Sequence, residues 1–404
     1  MYDYDSCHMI EALRSGVPSR EVGRCFTEAR APFLREMNDA MEDVKSSGKS
    51  KGIVFTGKYG EGKTHLLETM YSMAEEQNMV VSYLSLSKEA PFDKPYMLYQ
   101  KLLANTSLPH HDQPGVMDQL FTCSAGSNLA KEMLLFASRE LETDKLYYLF
   151  NLYLNSEDTD ARYQMAADLE GDFMSNETLK QLYSQVMHKK IKYNTNFVKT
   201  KHMNDYFSFL SHLFLQMGYD GWVVLFDEAE LIGRLGRKTR AKAYRNMATF
   251  LDPGPSLEKT FTLFAFSDSY QEEVIVSRNE EEEIKRYFLH EGDDMLIPAA
   301  LNAICKAKRL PALTENDICG IIEKIILLHG KAYGWNPTVS AEQVTGTIQS
   351  HGFLLRTKIR SAIEYLDQLY QYGNIEEATI GKLQTGDISE SEEQPSLDSL
   401  LDEK

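Results

Sequence analysis

The run Gly52-Ile53-Val54-Phe55-Thr56-Gly57-Lys58-Tyr59-Gly60-Glu61-Gly62-Lys63-Thr64-His65-Leu66-Leu67 constrains the fold of this chain more than any other stretch. A short β-branched and aromatic segment stops at Gly57, and apolar residues at helical spacing begin after Lys63. Between them stands G-x-x-x-x-G-K-T, the pattern of a phosphate-binding loop. Glycines 57, 60 and 62 let the backbone turn tightly and bring its N–H groups close to phosphate oxygens. The helix starting near Lys63 adds a dipole suited to anions. Lys63 can reach the β- and γ-phosphates, and the Thr64 hydroxyl can ligate Mg²⁺. The candidate nucleotide-binding residues are therefore Gly57, Lys58, Tyr59, Gly60, Glu61, Gly62, Lys63, Thr64 and His65. The strand before and the helix after are what the loop needs, so chance is a poor explanation.

At 404 residues the chain is long enough for a substantial core in one large or two coupled units. No apolar run approaches the length that spans a bilayer, and the start, Met1-Tyr2-Asp3-Tyr4-Asp5, is acidic where a signal peptide is basic. The expected location is cytoplasmic, with no membrane partner. Five cysteines (Cys7, Cys25, Cys123, Cys305, Cys319) are scattered without a C-x-x-C pair, so reduced thiols are expected and a zinc site is not. A formal charge of −17 argues against a generally basic nucleic-acid coat, though not against a local basic stripe.

Residues 1–50 read as a helical segment, broken at Ser15-Gly16-Val17-Pro18-Ser19, with Ser19 a helix N-cap. The core is expected over 51–310, with strands at 53–56, 79–86, 222–227 and 261–266 and a short fifth at Met295-Leu296-Ile297. Strands of near-continuous apolar content separated by helical crossovers predict an α/β fold with a parallel sheet buried on both faces. Residues 96–219 show no strong strand signal and read as a long helical insertion. An all-helical subdomain follows over 311–383, and the acid- and serine-rich residues 384–404 are expected to be disordered.

Trp222-Val223-Val224-Leu225-Phe226-Asp227-Glu228 supplies the second half of an ATPase site. Asp227, at the carboxyl end of a buried strand, can hold the Mg²⁺ that Thr64 contacts, and Glu228 is placed to activate a water. Hydrolysis of ATP, beyond binding, is the expectation. Against the acidic background, Arg234, Arg237, Lys238, Arg240, Lys242 and Arg245 form a run of cations with no acid among them. DNA phosphate is one natural partner; a solvated helix face or an acidic neighbouring subunit is the other reading.

Loop, Asp-Glu strand, polar-ended fourth strand and helical C-terminal subdomain together resemble an AAA+ ATPase of the origin-recognition and initiator clade. More closely, the chain is similar to the ATP-binding proteins of bacterial BREX-type phage-defence loci. That likeness rests on residues 10–22, Phe226-Asp227-Glu228-Ala229-Glu230, Lys331-Ala332-Tyr333-Gly334-Trp335, Arg356-Thr357-Lys358-Ile359-Arg360 and Leu366-Asp367. The resemblance implies that the C-terminal helices act as a lid, with Arg356 touching the γ-phosphate. It also implies that Ser267 or Asp268 positions the hydrolytic water and that residues 17–21 lie near the adenine. An arginine supplied in trans, Arg278 or Arg286, would require a homo-oligomer. Glu281 and Lys285, like Glu282 and Arg286, also stand at the i,i+4 spacing of a plain salt-bridged helix. The expected function is an ATP-driven switch or motor assembling on DNA or on partner proteins of a defence system. The alternative is a nucleotide-controlled scaffold with slow hydrolysis and no direct DNA contact.

Overall fold

The computed structural model describes residues 3–16, 19–111, 116, 124–348 and 355–373. Val17, Pro18, Cys123, Gly352 and the acidic tail from Gln384 lie outside them. The chain divides into two compact units. One holds Phe33–Lys58 and Met70–Leu310, and the other holds Tyr59–Thr69 with the described residues up to Pro32 and from Pro311 on.

The larger unit is built on strands β1 (Lys51–Gly57), β2 (Val80–Ser85), β3 (Thr106–Ser107), β4 (Trp222–Asp227), β5 (Thr260–Ser267) and β6 (Lys308–Arg309). They form one sheet in the order β3-β2-β4-β5-β1-β6. Every residue of β4 and all but the last of β5 are buried, which explains their unbroken apolar runs. Phe226 and Phe264 stack across these two strands at 4.9 Å between ring centroids, and Phe92 meets both edge-on or tilted. The helix Arg237–Leu251 ends hard against β1, where a β-carbon on Gly52 would lie 2.5 Å from the Leu251 Cα. Only glycine fits there.

The sheet is mixed, not wholly parallel: β3 runs antiparallel to β2, while the other four pairings are parallel. Its two residues are anchored by hydroxyls, with Ser82 Oγ 2.7 Å from Thr106 Oγ1 and the Trp222 indole N–H donating to Ser82. Two polar residues carry no alternation, so this strand within residues 96–219 leaves no sequence signal. The expected strand Met295-Leu296-Ile297 is instead part of the helix Asp293–Cys305. Ile297, Ala300, Leu301 and Ile304 are buried on one face while Met295 is 70% exposed, the period of a helix. The sixth strand lies further on, at exposed Lys308 and Arg309.

Between β3 and β4 the chain is helical, with Asn128–Arg139, Lys145–Asn155, Thr159–Ala167, Asn176–Met187 and Met203–Gln216. Ser127, Asp158 and Ser175 cap three of them by accepting a backbone N–H. Phe150 and Tyr153 are core residues of this region. At its centre Lys145 Nζ is 2.7 Å from Asp168 Oδ2, both side chains wholly buried. The ammonium also donates to Met174 O and lies 4.5 Å from the centroid of the Phe197 ring, while Tyr206 donates to Asp168. Burial holds the Lys145 amine below its ordinary pKa and pushes the Asp168 carboxyl up, each opposed by the partner charge. Removing one partner strands the other. Lys145→Ala is expected to cost about 3–5 kcal/mol in a denaturant melt of this unit. Lys145→Met with Asp168→Leu should recover most of that loss; a double variant as weak as the single would refute the ion-pair account.

The smaller unit packs helix Tyr4–Ser15 and the short helix Arg20–Cys25 with Glu315–Tyr333, Ala341–Ile348 and Leu355–Tyr372. Ile10, Leu13, Val22 and Phe26 join Ile322, Ile325, Ile363 and Leu366 in its core. Ser19 caps its helix by accepting from Val22 N, and Thr314 and Asp317 form a capping box. Arg14 donates to both oxygens of Asp367 at 2.9 Å. Asp367 also meets His329 Nε2, whose Nδ1 accepts from the Trp335 indole. Because an indole N–H only donates, the His329 ring proton sits on Nε2 and points at Asp367. Arg14, Trp335 and Asp367, three of the residues that carry the finer family likeness, thus meet in one hydrogen-bonded node around His329. Among the described residues no helix is long and apolar enough to cross a membrane.

Candidate functional site

β1 delivers Gly57 to the carboxyl edge of the sheet, in register with Ser267 of β5. The chain then turns through Gly60 and Gly62, both left-handed at φ 72° and 93°, and enters the helix Lys63–Glu76. Those two torsions need glycine, and left-handed residues of this kind are what backbone anion-binding nests are built from. Leu66 N closes the first helical turn on Gly62 O at 3.0 Å. Lys63 is buried, whereas Lys58 and Tyr59 are exposed.

Within the smaller unit the loop and its helix are braced by the N-terminal segment. Gly23 lies so close to the Glu68–Thr69 backbone that a β-carbon would come to 3.0 Å, and Thr69 Oγ1 donates to Gly23 O. Phe26 packs edge-on to His65, and burial lowers the pKa of the His65 imidazole. Arg30 lies beside Gly62: an Nη atom is 3.3 Å from where a Gly62 β-carbon would stand. Arg356 lies elsewhere. Its guanidinium covers Gly16 and donates to Ser15 O at 3.2 Å, while the neighbouring Leu355, on the helix Leu355–Tyr372, lies near Gly62.

Within the larger unit Asp227 is buried at the end of β4. Its Oδ2 accepts from Tyr83 OH and its Oδ1 from Glu228 N, both at 2.9 Å, which fixes the plane of the carboxylate. Glu228 is half-buried and left-handed at φ 54°, a conformation that costs a non-glycine residue of order 1–3 kcal/mol and that clusters at functional sites. Ser267 Oγ is 3.1 Å from Ser269 Oγ, while Asp268 pairs with Arg309 and its N–H donates to Gly57 O. Gly57, Asp227, Ser267 and Asp268 therefore share one sheet edge. Tyr83 belongs to no motif, yet it orients Asp227.

The basic run does not form one free stripe. Arg240 is buried and donates through Nε and Nη2 to Glu280 at 2.6 and 2.7 Å. Arg237 pairs with Glu283 at 3.4 Å and Arg245 with Asp293 at 3.3 Å. Arg234, Lys238 and Lys242 remain exposed. Arg278 donates to Gly233 O, whereas Arg286 has a side chain 72% exposed and only a surface pairing with Glu283.

The family model of the BREX system ATP-binding protein BrxC/D matches residues 3–123 and 155–269. The chain belongs to this family. An ATP-binding role in BREX phage defence follows from that membership. The matched residues include the whole loop, Arg30, Asp227, Glu228, Ser267 and Asp268, but neither Arg278, Arg286 nor Arg356. The comparison with curated proteins returns no match.

Proposed function

We propose that this protein hydrolyses the ATP it binds, as an AAA+ ATPase of the initiator-like clade, and uses the cycle to assemble on DNA or on partner proteins. The observation that carries hydrolysis is the register setting Gly57, Asp227 and Ser267 at one carboxyl edge, with Glu228 held in a strained turn beside them. In this reading the loop amides from Gly57 to His65 and the Lys63 ammonium hold the phosphates. Glu228 takes the proton of the attacking water, which Ser267 or Asp268 orients.

The Thr64 hydroxyl and the Asp227 carboxylate are hard oxygen donors, suited to Mg²⁺. Tyr83 and Glu228 N hold Asp227 in the orientation such a ligand needs. Bound there, Mg²⁺ would neutralise phosphate charge. The C-terminal helices act as the lid. Arg356 would reach the γ-phosphate only by leaving Ser15 O, and Arg286 is better disposed than Arg278 to act in trans in a homo-oligomer.

Pairing of Arg237, Arg240 and Arg245 with acids favours a second reading, a nucleotide-controlled scaffold with slow turnover and no direct DNA contact. Lys238→Glu with Lys242→Glu separates the two. If DNA is the partner, wild-type ATPase rate and particle size should rise with duplex DNA at low salt. The double variant should then lose about tenfold or more in DNA affinity. Unchanged affinity, or turnover indifferent to DNA, would leave the scaffold reading standing.

A further inference from the structure

Arg30 belongs to no nucleotide-binding pattern, yet its guanidinium lies beside the third glycine of the loop. Its Nε donates to Pro311 O at 2.6 Å, which fixes the side chain, and an Nη atom lies 3.3 Å from the position of a Gly62 β-carbon. Arg30 itself is left-handed at φ 61°, a conformation unfavourable for an arginine that its surroundings must hold. Burial lowers the Arg30 pKa, opposed by the carboxylates of Glu61 and Asp317, and the Arg30 charge adds to the burial that lowers the His65 pKa. A guanidinium presents several donors in one plane and matches phosphate oxygens better than any other side chain. Beside an amide nest it adds a full charge where the backbone supplies only partial ones.

We propose that Arg30 is a phosphate ligand of the loop, contacting the β- or γ-phosphate of the bound nucleotide. This rests on the nucleotide reading of the loop. A phosphate ligand makes affinity depend on phosphate number, which a merely structural arginine does not.

The test is titration of fluorescent ATP, ADP and AMP into the full chain, comparing wild type with Arg30→Ala, Arg30→Lys and Lys63→Ala. Arg30→Ala is expected to weaken ATP by about tenfold or more and AMP by less than about twofold, with Arg30→Lys between; ADP follows ATP if the contact is to the β-phosphate and follows AMP if it is to the γ-phosphate. Unaltered ATP affinity in Arg30→Ala would overturn the proposal. So would equal losses for all three nucleotides, since these would mark a role in packing alone; circular dichroism of the variant checks that it is folded. If wild type bound ATP and Lys63→Ala bound it equally well, the loop reading itself would fail, an outcome distinct from failure of Arg30.

Discussion

Replacing Lys63 by alanine is expected to abolish measurable ATP binding, weakening affinity by about 100-fold or more. Lys63 opens the helix Lys63–Glu76 and is buried, so it is not a swinging surface charge. Charge-assisted hydrogen bonds contribute about 1.5–3 kcal/mol each, and losing two of them reaches the stated range. The left-handed torsions of Gly60 and Gly62 are backbone properties that do not need the Lys63 side chain, so the loop itself should persist. Isothermal titration with ATP checks this, alongside a melt showing that the variant is folded. Affinity within a few-fold of wild type would remove the loop from the site.

Glu228→Gln should separate binding from turnover. The amide is the same size as the carboxylate, so the strained turn and the Glu228 N–H to Asp227 bond survive. What disappears is the base proposed for the attacking water. Loss of a positioned general base typically costs about 10²–10⁴-fold in rate. ATP affinity should stay within about twofold of wild type while the steady-state rate falls by that factor. A variant turning over at the wild-type rate would show that another group activates the water. Asp268 is the first to consider, although Arg309 engages it now.

Both predictions concern residues whose chemistry is local. A phosphate loop is a short-range device: its glycines, lysine and threonine act through torsions and side chains within one turn of chain. The same holds for β4, whose apolar run ending in Asp227-Glu228 is buried as its composition implies, and for the caps at Ser19 and Thr314. The two-residue strands β3 and β6 lay beyond such reasoning. Hydroxyl contacts and edge pairing hold them, and neither leaves a period in the sequence. Met295-Leu296-Ile297 shows the converse error, since three apolar residues in a row fit a strand or a helix until their neighbours on the buried face are known.

Charge was the least legible property. Six cations between Arg234 and Arg245 look like one stripe along the chain, but Arg240 meets a carboxylate forty residues away and is sealed in the core. Sequence spacing cannot reveal such a partner. Arg14 and Asp367, separated by most of the chain, form their pair for the same reason.

The loop, the strand that launches it, the Asp227-Glu228 pair and the likeness to BREX ATP-binding proteins that the family match bears out are legible along the chain, because each depends on neighbouring residues. The shared core of the first two helices and the last three, the place of Arg30 at Gly62 and the rest of Arg356 on Ser15 come from the folded chain. Those are meetings between segments distant along the chain, and packing alone selects them.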